Sequence, residues 1–75
     1  MGIKQIVGDN IRHIREIRGL TQEELSVLTK MSKTFLGDIE RAQKSPTTVS
    51  LEKIAKALGV KPSVLLEPEA YREIK

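Results

Sequence analysis

The side chains that could do chemistry in this chain are polar and basic ones gathered between Ser32 and Lys44. Ser32, Lys33 and Thr34 stand in a row, Gly37 and Asp38 follow one turn later, and Arg41, Gln43 and Lys44 close the group. Lysine, threonine, arginine and glutamine at such spacing suit phosphate oxygens and the edges of bases. A lysine fits guanine O6 and N7, and a threonine fits a hydrogen-bonding base edge or a thymine methyl. Asp38 is open between three uses: accepting from cytosine N4, repelling phosphate, and pairing with a nearby lysine, which is the reading favoured here. No catalytic arrangement accompanies the group. There is no nucleophile–base pair, no paired carboxylates and no phosphate loop, so an enzyme is not expected. With no cysteine and a single histidine, His13, neither a disulfide nor a metal centre is expected, nor a cofactor.

Two short helices must position these residues. Thr21 is a hydroxyl cap with Glu24 three residues on, which makes a capping box, and Leu25 and Leu28 then share a helical face. Thr29-Lys30-Met31 breaks the period, and Ser32 is a second cap, whose hydroxyl can also reach a phosphate. Leu36 and Ile39 form the buried side of the next helix and leave Lys33, Thr34, Gly37 and Arg41 on its outer side. An apolar-anchored helix pair that turns small polar and basic groups outward is the layout of a helix-turn-helix DNA reader. Gln22 heads the first of the pair, where free N–H groups and the helix dipole favour a phosphate. Arg41 and Lys44, with Gln43 between them, read as phosphate clamps, while Phe35 reads as packing on the preceding helix. Lys30 sits in the corner; if the corner needs a positive φ, lysine costs roughly 1 kcal/mol there relative to glycine.

The rest of the chain supplies the support. A first helix is expected from about Ile3 to Arg18, with Ile3, Ile6, Val7, Ile11, Ile14 and Ile17 inside roughly 140° of arc, a core-facing stripe. Gly8 within it suits close packing against a neighbouring helix, and Gly19 suits a left-handed stop. Arg12 lies opposite the stripe and reads as solvated; His13 flanks it and needs no role. After the loop Ala42–Thr47, Thr47 or Thr48 caps a fourth helix whose Leu51, Ile54, Ala55 and Leu58 match the i, i+3, i+4, i+7 template, with Gly59 ending it. Pro62 opens a short fifth helix with Val64 and Leu65 facing the core, and Pro68 ends it. The tail from Glu69 carries Tyr71 and Ile74 three apart, a frayed end or one more amphipathic turn.

The totals bound the reading. Seventy-five residues make one domain near the lower limit for folding without staples. One Phe, one Tyr and no Trp leave little for stacking single-stranded bases. No apolar run approaches the roughly 20 residues of a membrane span, and the start lacks a signal-peptide block, so a cytoplasmic location and no membrane partner are expected. The formal net charge is +3. Residues 67–75 carry two basic against three acidic groups, which leaves eleven basic against seven acidic on residues 1–66. The surplus lies on the presumed DNA-binding unit rather than on the tail.

From about Val7 to Leu66 the sequence resembles the Cro/phage-repressor (XRE-like) helix-turn-helix family. The matching elements are Ile11-Arg12-x-x-Arg15, Gly19-Leu20-Thr21-Gln22-Glu23-Glu24-Leu25, Phe35-Leu36-x-x-Ile39-Glu40-Arg41, Pro46, and Leu51-x-x-Ile54-Ala55-Lys56-Ala57-Leu58-Gly59-Val60. The chain looks most like restriction–modification controller proteins, and sporulation-type repressors are also similar. The resemblance implies an all-α, five-helix, lambda-repressor-like domain over residues 1–66, with its motif from Gln22 to Arg41. A dimer contact is expected from the fifth helix and the tail over residues 67–75 together, where Val64, Leu66, Tyr71 and Ile74 supply an apolar patch. The resemblance implies that Gln22 contacts the DNA backbone and braces the recognition helix. It also implies that Arg15, a DNA contact on charge alone, instead forms a structural ion pair with Glu40. The family usually has Gly where Lys30 stands and often where Ala42 stands. The expected function is a homodimeric, sequence-specific regulator of transcription on a double-stranded operator, with RNA polymerase as a further candidate partner and no small-molecule ligand. The alternative on the same fold is a protein-interaction module, antitoxin or coactivator-like, in which Lys33 and Thr34 would be dispensable.

Overall fold

Hydroxyl caps open three of the helices. In the computed structural model, which describes residues 2–74, the chain forms α1 (Ile3–Ile17), α2 (Gln22–Thr29), α3 (Lys33–Glu40) and α4 (Thr48–Leu58), then two short 3₁₀ helices, Pro62–Leu66 and Ala70–Glu73. The Thr21 hydroxyl accepts from the Glu24 N–H at 3.0 Å while the Glu24 carboxylate accepts from the Thr21 N–H at 2.9 Å, the reciprocal box. Ser32 and Thr47 cap α3 and α4 in the same way, accepting from Phe35 and Ser50 N–H groups at 3.0 and 3.1 Å. Arg18 closes the far end of α4, its Nε donating to the Leu58 carbonyl at 2.9 Å.

All four α-helices and the first 3₁₀ helix meet in one core: Val7, Ile11 and Ile14 from α1, Leu25, Leu36, Ile39, then Ile54, Ala55, Leu58 and Leu65. The expected stripe on α1 is shorter than its sequence pattern. Ile3 and Ile17 are exposed, because fifteen residues run about 22 Å in a molecule only 26 × 25 × 19 Å across, so the helix ends overhang their neighbours. On α2 the expected Leu28 is also exposed, and Thr29 is buried with Leu25 instead. Thr29 can take that place because its hydroxyl donates to the Leu25 carbonyl at 2.8 Å, leaving no polar group unsatisfied.

The expected fifth α-helix is a 3₁₀ segment. Five residues between Lys61 and Glu67 are too few to build an i→i−4 ladder, and the bonds found are Val64 N–H to Lys61 carbonyl and Glu67 N–H to Val64 carbonyl. The tail then turns back onto α1. Asn10, fully buried, donates through Nδ2 to the Leu65 and Glu67 carbonyls at 3.1 and 2.7 Å and accepts from the Tyr71 N–H at 3.3 Å. Tyr71 stacks on His13 with ring centres 4.0 Å apart.

Two backbone features decide how α1, α2 and α3 fit. Gly8 lies against the last turn of α3: a Cβ there would stand 2.5 Å from the Ile39 carbonyl oxygen and 2.9 Å from that of Glu40. Both atoms are backbone, so α1 or α3 would have to move. Gly8→Ala is expected to destabilise the fold by about 2 kcal/mol, read as a lower midpoint in a urea titration. Conversely, Lys30 closes α2 at φ 56° and Ala42 follows α3 at φ 63°, both left-handed. Lys30→Gly and Ala42→Gly are each expected to stabilise by up to about 1 kcal/mol, visible as a higher melting temperature.

Candidate nucleic-acid interface

The interface is built on one buried carboxylate. Glu40, at the end of α3, receives Arg15 Nε at 2.8 Å and Arg15 Nη2 at 3.1 Å from α1. Gln22 Nε2, from the first residue of α2, reaches the same carboxylate at 3.0 Å. The Arg15 and Glu40 side chains are only 12% and 2% exposed, so the two-point guanidinium–carboxylate pair is sheltered from solvent screening. Arg15 Nη1 also donates to the Leu20 carbonyl at 2.8 Å, fixing the α1–α2 loop. The Glu40 hydrogen bond holds the Arg15 pKa above its ordinary value, against the opposing effect of burial. A raised value on a cation means stabilisation that is lost only as pH rises through it, so the pair stays intact throughout the neutral range.

On the opposite edge of α3 the side chains stand free. Ser32, Lys33 and Thr34 are exposed, while Leu36 and Ile39 are fully buried. The corner before them is held by Ser26, whose hydroxyl donates to the Met31 carbonyl at 2.6 Å and whose own carbonyl accepts from the Met31 N–H. Phe35 is half-buried against the core, and its ring lies 5.9 Å from the Lys44 ammonium. Lys33 has no ion-pair partner among the described residues, so its charge is available.

Gly37 does not join that free edge. It is buried, because Arg41, four residues on, folds back over it to reach Asp38; a Cβ at 37 would meet Arg41 Nη1 at 3.0 Å. Gly37 is thus a seat for a guanidinium rather than a surface for DNA. Asp38 takes both expected clamps, Arg41 at 2.8 Å and Lys44 at 3.6 Å. Gln43 is exposed in the loop after α3, its N–H bonded to the Asp38 carbonyl. Arg12 pairs with Asp9 at 3.6 Å on the far side of α1.

Asn10 is not singled out in the sequence reading above, and His13, read there as needing no role, stacks on Tyr71. A buried asparagine on an apolar stripe is a detectable signal, since it must find partners for both ends of its amide. Among the described residues no cluster of His, Cys, Asp and Glu is arranged to hold a metal ion, and no helix is long and apolar enough to cross a membrane.

Comparison with known proteins fits this geometry. A family model described as helix-turn-helix matches residues 11–65. The chain is 37% identical over 68 residues to the uncharacterized HTH-type transcriptional regulator y4dJ of Sinorhizobium fredii, covering 91% of this chain and 88% of that protein. It is 36% identical over 72 residues to the control protein C.SmaI of Serratia marcescens, covering 96% and 86% respectively. Among solved structures, the restriction-modification controller protein C.AhdI from Aeromonas hydrophila superposes with a TM-score of 0.80 at 32% identity, over 83% of this chain and 94% of that one.

The buried carboxylate gives a sharp expectation. Glu40→Ala leaves Arg15 buried without its counter-ion and Gln22 without its acceptor, at an expected cost of about 3 kcal/mol. Chemical denaturation followed by circular dichroism would measure it. A change below about 0.5 kcal/mol, the scale of an ordinary surface substitution, would mean that the three helices are joined by the core alone.

Proposed function

The chain belongs to the helix-turn-helix family, and on that premise we propose that it is a sequence-specific regulator of transcription of the restriction–modification controller type, binding double-stranded DNA as a homodimer in the cytoplasm. The observation that carries the reading is the division of α3 into two edges. Leu36 and Ile39 are sealed in the core while Ser32, Lys33 and Thr34 stand exposed on the other side. A helix anchored in this way can enter the major groove as a rigid body, its first turn reaching base edges.

The roles follow from the chemistry of each group. Lys33 presents its ammonium to guanine O6 and N7, and Thr34 its hydroxyl and methyl to the adjacent base. Ser32 spends its oxygen on the cap and offers its hydroxyl proton to a phosphate. Gln22 uses one amide proton on Glu40 and has a second for the backbone, which ties phosphate contact to the node that orients α3. Arg41, Gln43 and Lys44 complete the phosphate grip, which sets affinity and register, while Lys33 and Thr34 set sequence choice.

What supports a dimer contact is the apolar surface of the exposed Ile3 and Leu66, which line one groove together with Val7, Pro46 and Leu51. Val64, Tyr71 and Ile74, also expected there, are instead half-buried against the chain's own core. A two-fold pair of recognition helices then reads half-sites about 34–36 Å apart.

Selection of bound duplexes from a random pool at stated salt is expected to return a two-fold motif. Against the selected duplex, Lys33→Ala should bind about tenfold more weakly, the scale of one lost base contact, with an unchanged melting curve. Unchanged affinity in a folded variant would favour a protein-interaction module in place of a DNA reader.

A further inference from the structure

The two cations that follow the recognition helix are held by a carboxylate on its reading edge. Arg41 Nη2 lies 2.8 Å from Asp38 Oδ1, and Lys44 Nζ lies 3.6 Å from Asp38 Oδ2, so both oxygens are engaged. The Asp38 side chain is only 20% exposed, while those of Arg41 and Lys44 are 62% and 59% exposed. The loop is shaped for this arrangement. Gln43 and Lys44 N–H groups both donate to the Asp38 carbonyl, at 2.8 and 3.4 Å, and Gly37 leaves room for the guanidinium to lie across the helix. Asp38 is four residues after Thr34, about 40° round the helix, which puts it on the same edge as Thr34.

Arg41 and Lys44 keep further N–H donors beyond those turned to Asp38, but a phosphate out of that carboxylate's reach draws them away from it. The carboxylate is an acceptor only, and it is then left without partners beside another anion. Guanine N7 and O6 and thymine O4 are acceptors too and cannot satisfy it; the exocyclic amino groups of cytosine and adenine can. We infer that Asp38 couples phosphate grip to base identity by exchange of partners. Where the groove presents an amino group to Asp38, the carboxylate moves to it and both cations go to the backbone. Elsewhere the ion pairs persist and the two cations are withheld from the phosphates. Asp38 is thus a specificity-determining residue that suppresses binding to DNA of the wrong sequence. The inference rests on the DNA-binding reading above.

The test compares the wild type with Asp38→Asn on two fluorescent duplexes, the one selected from a random pool and one of scrambled sequence, across a range of salt. The ion pairs are exposed enough that the substitution should leave the melting temperature nearly unchanged; Asp38→Ser provides a second uncharged variant should it not. Asp38→Asn is expected to bind scrambled DNA about tenfold tighter. Its salt dependence there should steepen by about 0.9 per released cation, up to about two cations. On the selected duplex the slope should stay as in the wild type, so the ratio between the two duplexes falls. Equal gains on both duplexes with matching slopes, or no gain on either, would overturn the exchange while leaving DNA binding intact. Failure of the wild type to enrich any duplex would instead remove the reading on which the inference rests.

Discussion

Three helices of this protein converge on the Glu40 carboxylate. Its two oxygens take three hydrogen bonds, two from Arg15 on α1 and one from Gln22 at the start of α2, while Glu40 itself ends α3. Burying a carboxylate is expensive, and the expense is offset only when charge and hydrogen bonds are both matched. That requirement makes the contact directional, which apolar packing is not. Leu25, Leu36 and Ile39 could tolerate small rotations of α3, whereas a two-point guanidinium–carboxylate pair could not. The same last turn of α3 is pressed against Gly8, so α1 holds the helix twice, by the Arg15 ion pair and by direct backbone contact.

The C-terminal part of the domain solves a different problem with the same means. A chain of 75 residues has little core to spare, and its last described residues form no α-helix. They are held through Asn10, whose amide gathers the Leu65 and Glu67 carbonyls and the Tyr71 N–H onto α1. A buried amide satisfied at both ends fixes where an irregular segment lies, as the carboxylate of Glu40 fixes an angle between helices. In both cases a polar residue inside the core specifies geometry that a small set of aliphatic side chains would leave loose.

How much of this was readable beforehand depended on whether the signal was local. Helix starts were readable because Thr21, Ser32 and Thr47 sit where a cap belongs, and the boundaries of α2, α3 and α4 follow from them. The left-handed corner at Lys30 was readable as a conflict between lysine and the conformation the corner needs. Periodicity marks the apolar faces but cannot say where the facing helices stop, so Ile3 and Ile17 of the expected core stripe, and Leu28 on the face it shares with Leu25, are exposed. The fifth helix failed for a reason of length: its proline start and apolar residues were right, but five residues cannot close an α-helical ladder. Gly37 and the Asp38 ion pairs were hidden because they depend on how a long, flexible side chain four residues away folds back. Spacing places Arg41 on the outer side and does not reveal that it lies across Gly37.

That last point bears on how charge should be read in a domain of this kind. Net charge treats all thirteen basic residues alike, yet in the folded chain they fall into distinct groups. Arg15 is committed to the fold, and no DNA phosphate can compete for it without breaking the joint between α1 and α3. Lys33, without an ion-pair partner among the described residues, is available to any duplex at once. Arg41 and Lys44 lie between these cases, exposed but shared with one carboxylate. Affinity for DNA in general grows with every cation that reaches a phosphate, whereas choice of sequence grows only where reaching it depends on the base nearby. A single acid placed among the cations of a recognition surface therefore does more than lower its positive charge. It makes part of the grip conditional, and the condition is set by the helix edge on which that acid stands.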